Sequence, residues 1–130
     1  MVRALTLHQP WAWCIMRAGK RIENRTWYPP ADLIGQRIAI HAGKREDISA
    51  SIALRSVPRV LSLGAFVGTA RLVAVIRRIE DVRSDQLFWW AGPVGWLLDE
   101  VRELPRPLSC RGAQGLWTVP ERFDLDAVAA

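Results

Sequence analysis

Short stretches in which apolar and polar residues alternate recur along the chain and predict a structure built mainly of β-strands. Between the first two stretches, Pro10 opens a segment with apolar residues at helical spacing, and Gly19 is a natural stop for that helix. A second amphipathic helix is predicted over residues 45–57. The predicted strands cover residues 2–7, 22–27, 36–43, 64–79, 94–104 and 116–120, with a loop over 105–115.

Many short strands with two early helices are typical of an α+β fold. The pattern favours a small β-barrel, or a strongly curved sheet, with the helices packed at its side. No repeat, low-complexity segment or long linker divides the chain, so we expect a single domain over residues 1–120 and a C-terminal tail over 121–130. Gly68 interrupts the longest predicted strand and indicates a bulge or a close backbone approach.

Length and composition exclude several classes of protein. The 130 residues fit one domain with a core of its own. No apolar run approaches the roughly 20 residues that span a bilayer, and the N-terminus lacks a secretory signal, so we expect a cytoplasmic protein without membrane contact. Cys14 and Cys110 are expected to be free thiols, and no metal site or cofactor is predicted.

The positive charge is concentrated in the first half of the chain. Residues 1–60 carry ten Lys and Arg against four Asp and Glu, whereas residues 61–130 carry eight against nine. A basic half suggests an anionic partner such as nucleic acid, although a solvated Arg-rich surface is the alternative. The two lysines, Lys20 and Lys44, each end the tripeptide AGK, which suggests positions where an ammonium group matters.

The densest group of charged candidate site residues consists of Lys20, Glu23 and Arg25, which lie within six positions of the sequence. On a strand, Glu23 and Arg25 share a face, and Lys20 lies just before it. Lysine can bind phosphate or, when desolvated, act as a base. Glutamate accepts hydrogen bonds, and arginine can donate two parallel hydrogen bonds to a phosphate or a base edge. The alternative is a surface ion-pair network of little energetic value.

Other candidates lie near predicted turns or carry aromatic faces. His8 and Gln9 precede the first helix, and the alternative to ligand binding is that they cap it. Tryptophan faces can stack on bases, but several of the seven tryptophans are expected in the core. The predicted ligand-binding residues are His8, Gln9, Trp11, Arg25, Trp27, His41, Lys44 and Arg111, and Lys20 and Glu23 are the catalytic pair if the protein is an enzyme.

The chain resembles the ASCH domain family of the PUA-like superfamily. The segments ALTLHQPWAWCIMRAGKRIENRTW, GQRIAIHAGK and GAFVGTARLV carry the resemblance, together with the family pattern G-x-K-x-x-E-x-R, in which Ala18 replaces the first glycine. The resemblance implies a PUA-like β-barrel with flanking helices. It also implies a cleft lined by Gln9 to Trp11, the Lys20 segment and the strand end at His41, and a role connected with RNA.

The resemblance leaves more than one function open. The leading hypothesis is a domain that binds RNA or a nucleotide-like ligand, with DNA as a possible partner. The alternative is a small hydrolase, either an amidohydrolase acting on N4-acetylcytidine or a ribonuclease. The amidohydrolase pattern has a threonine nucleophile three residues after the lysine, where this chain has Glu23. A protein-interaction module with a vestigial cleft is the third hypothesis, and no oligomeric state is predicted.

Overall fold

The computed structural model describes residues 1–125 and shows an α+β fold, as predicted. Within these residues, one mixed sheet of six strands carries two short α-helices and three short 3-10 segments, the longest of which is Ser84–Trp89. The strands and α-helices are β1 (Arg3–Gln9), α1 (Trp11–Arg17), β2 (Ile22–Arg25), β3 (Arg37–Glu46), α2 (Ile48–Leu54), β4 (Ala65–Ile76), β5 (Val94–Ser109) and β6 (Leu116–Thr118).

The sheet is curved but open. Its strand order is β2-β5-β4-β3-β1-β6, so β2 and β6 form its two edges, and backbone pairing does not close it into the predicted barrel. β1 and β3 are parallel, because the chain crosses over between them through α1 and β2. The other neighbouring strands pair antiparallel. No helix of residues 1–125 is long and apolar enough to span a bilayer.

The core forms where α1 packs against the sheet. Trp96 and Ile15 are fully buried in the larger apolar cluster, which Trp11 and Trp27 flank. Gly68 is required where α1 crosses β4, because a Cβ there would lie 2.4 Å from Met16 Sδ and 2.5 Å from the Arg102 carbonyl oxygen. The register between β4 and β5 also shifts beside Gly68, so the predicted irregularity is confirmed.

Strand β5 is longer than predicted, because it continues to Ser109 and so takes in the first five residues of the expected loop over 105–115, whereas residues 110–115 belong to no strand, as predicted. Proline cannot donate to a sheet ladder, and Pro105 and Pro107 therefore indicated a break. In the structure, Glu103 pairs with Gly68 and Leu108 pairs with Phe66, so four residues of β5 stand opposite one residue of β4. This bulge holds both prolines outside the regular pairing. The strand β3 likewise runs past Gly43 to Glu46, so His41 lies inside a strand rather than at its end.

The predicted tail is only partly described. Leu125 is buried and Phe123 packs beside it in a second apolar cluster, together with Val119. Residues 126–130 of the predicted tail lie outside the described residues. The boundary at residue 120 therefore stays a prediction.

Candidate ligand-binding site

Lys20 lies buried in the turn between α1 and β2. Its Nζ donates a hydrogen bond to the carbonyl oxygen of Ile22 and lies 3.4 Å from Glu23 Oε1. The same ammonium group is 5.9 Å from the centre of the Trp11 ring. Burial lowers the pKa of Lys20, and the nearby carboxylate of Glu23 opposes that shift. Lys20 is therefore a desolvated cation whose charge depends on one neighbouring carboxylate.

Glu23 stands between two cations. Its second oxygen, Oε2, lies 3.2 Å from Arg25 Nε. That Nε is buried and has no aligned hydrogen-bond acceptor among residues 1–125, so the contact is an electrostatic one. The side chains of Lys20 and Glu23 are 3% and 11% exposed, which rules out the surface network considered as the alternative. The structure thus brings the predicted trio together as a buried cluster.

Arg25 also connects two strands that are not neighbours in the sheet. Its Nη2 donates a 3.0 Å hydrogen bond to the carbonyl oxygen of Thr6. Thr6 belongs to β1 and Arg25 to β2, which occupy distant positions in the strand order. The curvature of the sheet brings them within reach of one side chain, and this contact holds the charged cluster against β1.

Lys20 and Glu23 of the charged cluster form the floor of a pocket of about 410 Å³, whereas Arg25 supports Glu23 from behind and lines neither this pocket nor the second one described below. One wall is formed by Trp11 and another by α2 through Leu54 and two alanines. Residues 88–91 form the third wall, and we call the segment 87–92 that contains them the aromatic loop. The walls are therefore mainly apolar and aromatic, whereas the floor carries charge. The lining residues are Trp11, Lys20, Glu23, Asn24, Ala50, Ala53, Leu54, Phe88, Trp89, Trp90 and Ala91.

Two amide side chains that the sequence analysis did not single out position this pocket. Asn24 Nδ2 donates to the Trp89 carbonyl oxygen at 2.9 Å, and its Oδ1 accepts from the amides of Ala91 and Gly92 at 2.9 and 3.0 Å. Gln86 accepts from the Arg21 amide at 2.6 Å. Asn24 thus fastens the loop region after β4 to strand β2, and Gln86 fastens it to the turn that carries Lys20. No local pattern marks such contacts, since about 65 residues separate the partners.

His41, Lys44 and Arg111 lie in a second pocket of about 350 Å³, which shares no lining residue with the first. His41 is buried, and its Nε2 is 2.7 Å from the carbonyl oxygen of Cys110 while its Nδ1 is 3.2 Å from Thr6 Oγ1. A carbonyl only accepts, so Nε2 carries the proton and Thr6 donates to Nδ1. Burial lowers the pKa of His41, which favours this neutral form.

The remaining predicted residues line neither pocket. Gln9 is buried, accepts from the Trp13 amide at 3.0 Å and donates to the Ser62 carbonyl oxygen at 2.9 Å, which agrees with the alternative that it caps the helix. Trp27 packs edge-on against Trp96 with ring centres 5.0 Å apart. His8 is exposed on β1.

Both cysteines are free, as predicted, and the structure shows that both are buried. Burial raises the pKa of Cys14 to about 11, so its thiol stays protonated at neutral pH. Among residues 1–125, no group of three His, Cys, Asp or Glu side chains is placed to hold a metal ion.

Comparisons with known proteins agree with this fold. The chain is similar to the crystal structure of an ASCH protein from Zymomonas mobilis, with 17% identity, a TM-score of 0.56, and coverage of 92% of this chain and 88% of the other. Two structures of single-residue variants of that protein match with TM-scores of 0.56 and 0.55. At this identity the likeness concerns the fold alone. A comparison with curated proteins gave no significant match.

The family assignment depends on the sequence model rather than on the solved structures. The model of the ASCH domain matches residues 5–94, which is more than half of the chain and contains the whole Lys20–Glu23–Arg25 segment. The match begins in β1 and ends at the start of β5, so it includes the charged floor and the aromatic loop of the first pocket. The chain belongs to the ASCH domain family.

Proposed function

We propose that the 410 Å³ pocket binds a base of RNA, or the base of a nucleotide-like ligand. The observation that carries this proposal is a buried Lys20–Glu23 pair at the floor of a pocket with aromatic walls. Aromatic side chains stack on bases for about 1–3 kcal/mol each, and any base offers a face to them. The floor then provides the polar contacts that distinguish one base edge from another.

The hydrogen-bonding capacity of the floor suits a base edge with both a donor and an acceptor. An ammonium group has three donors, and Lys20 uses two of them on Ile22 and Glu23. The third donor is available to a carbonyl oxygen or ring nitrogen. A carboxylate has about four lone-pair sites, so Glu23 can accept from an exocyclic amine while it stays paired. The excess of cations in residues 1–60 supports an anionic polymer as the natural ligand.

Binding of a fluorescein-labelled single-stranded RNA, followed by anisotropy at two salt concentrations, tests the proposal. We expect Trp89→Leu to weaken binding about ten-fold, because a stacking face is lost. Trp13→Leu is the matched control, since Trp13 is also half-buried but lines a different pocket. Equal affinities for the two variants would contradict the proposal. A matching DNA oligonucleotide shows whether the 2′-hydroxyl contributes.

A second candidate function is hydrolysis, and the burial of Lys20 favours it. A lysine whose pKa is lowered by desolvation can accept a proton, and Glu23 lies beside it to orient a water molecule. His41 is not placed to assist, because both its ring nitrogens are already bonded in the second pocket. Chromatography of N4-acetylcytidine or RNA after incubation tests this function. Product formation that Glu23→Gln abolishes, with RNA binding retained, would support it; the absence of product from the parent protein would oppose it.

A further inference from the structure

The second pocket differs from the first in its charge, and we propose that it binds a phosphate group. Its lining contains the cations Lys44 and Arg111 and no carboxylate. In the first pocket, by contrast, Lys20 is offset by Glu23. A third pocket, beside α1, likewise contains one arginine and one glutamate. The full lining of the second pocket is Thr6, His41, Gly43, Lys44, Gly64, Arg111, Gly112, Ala113 and Gln114.

Both cations are available to an external anion. Lys44 and Arg111 are exposed, and neither side chain has a hydrogen bond or an ion pair with any residue of the described part of the chain. The backbone next to each cation is nevertheless held in place, because Lys44 lies on β3 and Cys110 precedes Arg111. The amide of Cys110 donates to the Gly64 carbonyl oxygen at 3.0 Å, and the stem of Lys44 lies beside Gly64. The two charges are therefore presented by ordered segments rather than by free ends.

The backbone of the 111–115 loop adds hydrogen-bond donors. Within residues 1–125, the amides of Gly112, Ala113 and Gln114 donate to no acceptor. Gly112 packs directly on the wall of the pocket, since a Cβ there would lie 2.6 Å from His41 Cε1 and 2.9 Å from Thr6 Oγ1. Free backbone amides combined with Lys and Arg form the usual surroundings of a bound phosphate in proteins.

The buried wall of the pocket does not compete for the anion. Trp117 Nε1 donates to Thr6 Oγ1 at 3.0 Å, and Thr6 in turn donates to His41, which donates to Cys110. Each polar group of this chain of contacts is satisfied, and the imidazole is neutral. The groups left for a ligand are the two cations, the loop amides and the Gln114 side chain.

This proposal does not depend on base binding in the first pocket. The phosphate chemistry fits two sources, the phosphodiester of a nucleic acid and the phosphate of a phosphorylated small molecule. A nucleic acid would be the simpler source if one ligand occupies both pockets. Thr6 lies near both, because its carbonyl oxygen accepts a hydrogen bond from Arg25 of the charged cluster and Thr6 itself lines the second pocket.

NMR titration of the 15N-labelled protein with inorganic phosphate, with chloride adjusted to keep the ionic strength constant, tests the site. We expect saturable shifts of the Gly43, Gly64 and Gly112 amides. Lys44→Gln and Arg111→Gln should each raise the dissociation constant about three- to five-fold, as for partly exposed ion pairs. Arg45→Gln is the matched control, because Arg45 is adjacent on β3, is also exposed and does not line the pocket.

The outcomes show whether the second pocket binds phosphate, which kind of molecule supplies that phosphate, and whether the result is independent of the first pocket. If phosphate shifts these amides no more than chloride does, or if Arg45→Gln weakens binding as much as Lys44→Gln, the proposal is wrong. A dinucleoside monophosphate that shifts Gly112 identifies a nucleic-acid backbone as a ligand, whereas a response to phosphate monoesters alone identifies a phosphorylated small molecule. A nucleoside without phosphate probes only the first pocket, so its failure leaves this site intact.

Discussion

The buried pair of Lys20 and Glu23 leads to a quantitative prediction for Glu23→Gln. The substitution preserves the shape of the side chain but removes a negative charge 3.4 Å from Lys20 Nζ and 3.2 Å from Arg25 Nε. With side chains only 3% and 11% exposed, water replaces little of the lost attraction. Removing one partner of a buried pair costs about 3–5 kcal/mol. We expect about 3 kcal/mol, the lower limit of that range, because Lys20 keeps its hydrogen bond to Ile22.

Urea unfolding followed by tryptophan fluorescence at neutral pH measures this loss. With a slope of about 1–3 kcal/mol per molar urea, the midpoint should fall by about 1 M or more. Glu103→Gln is the control, because Glu103 pairs with Arg17 at 2.7 Å but both side chains are well exposed. The control should change the free energy of unfolding little, since exposed pairs are screened by water. Equal losses in the two variants would refute the argument from burial.

The same variant should show a distinctive pH dependence. Burial already lowers the pKa of Lys20, and Glu23 opposes that shift, so Glu23→Gln lowers the pKa further. Above the folded-state pKa, the native protein has released a proton that the unfolded chain still holds up to about pH 10.4. The unfolded state then binds more protons, so stability rises with pH. The difference in the free energy of unfolding between the parent and Glu23→Gln should therefore shrink as the pH is raised above neutral. A constant difference would mean that Lys20 stays charged without its partner.

Three further predictions test the aromatic loop, the packing at Gly68 and the buried histidine. Asn24→Ala removes three hydrogen bonds to the aromatic loop and should cost about 2 kcal/mol and speed amide hydrogen exchange in that loop. Gly68→Ala should cost about 1–3 kcal/mol by overpacking, and adding Met16→Ala should not restore stability, because a backbone oxygen 2.5 Å from the new Cβ remains. Stability of the parent should fall below about pH 6.5, because buried, neutral His41 resists a proton that the unfolded chain accepts. His41→Gln should flatten this dependence, and thermal unfolding of the parent and the variant between acidic and neutral pH measures the difference.

Local patterns account for the parts of the fold that were predicted well. Alternation and runs of β-forming residues predicted every strand of the sheet at least in part, and Pro10 and Gly19 lie close to the two ends of α1. The grouping of Lys20, Glu23 and Arg25 was also predictable, since three residues on one turn and one strand must lie close together. Nearest neighbours along the chain determine such features, and no distant contact is needed to form them.

The errors occurred where distant segments compensate for a local signal. Two prolines suggested a break in β5, but the bulge opposite β4 accommodates them. The expected single cleft became two pockets, because His41 lies inside β3 and bonds to Thr6 and Cys110 rather than facing Lys20. α2 is shorter than predicted and has no buried residue, so an amphipathic pattern alone did not determine how it packs.

The sequence by itself determined the class of fold, the approximate positions of the strands and the charged trio, because periodicity and short spacing act over a few residues. The tertiary structure decided which groups share a pocket. Asn24 and Gln86 hold the aromatic loop over Lys20, and Arg25 joins β2 to β1, only because the curved sheet brings together residues that lie far apart in the chain. Burial then determines the pKa of Lys20, since desolvation lowers it and the neighbouring carboxylate of Glu23 opposes that shift.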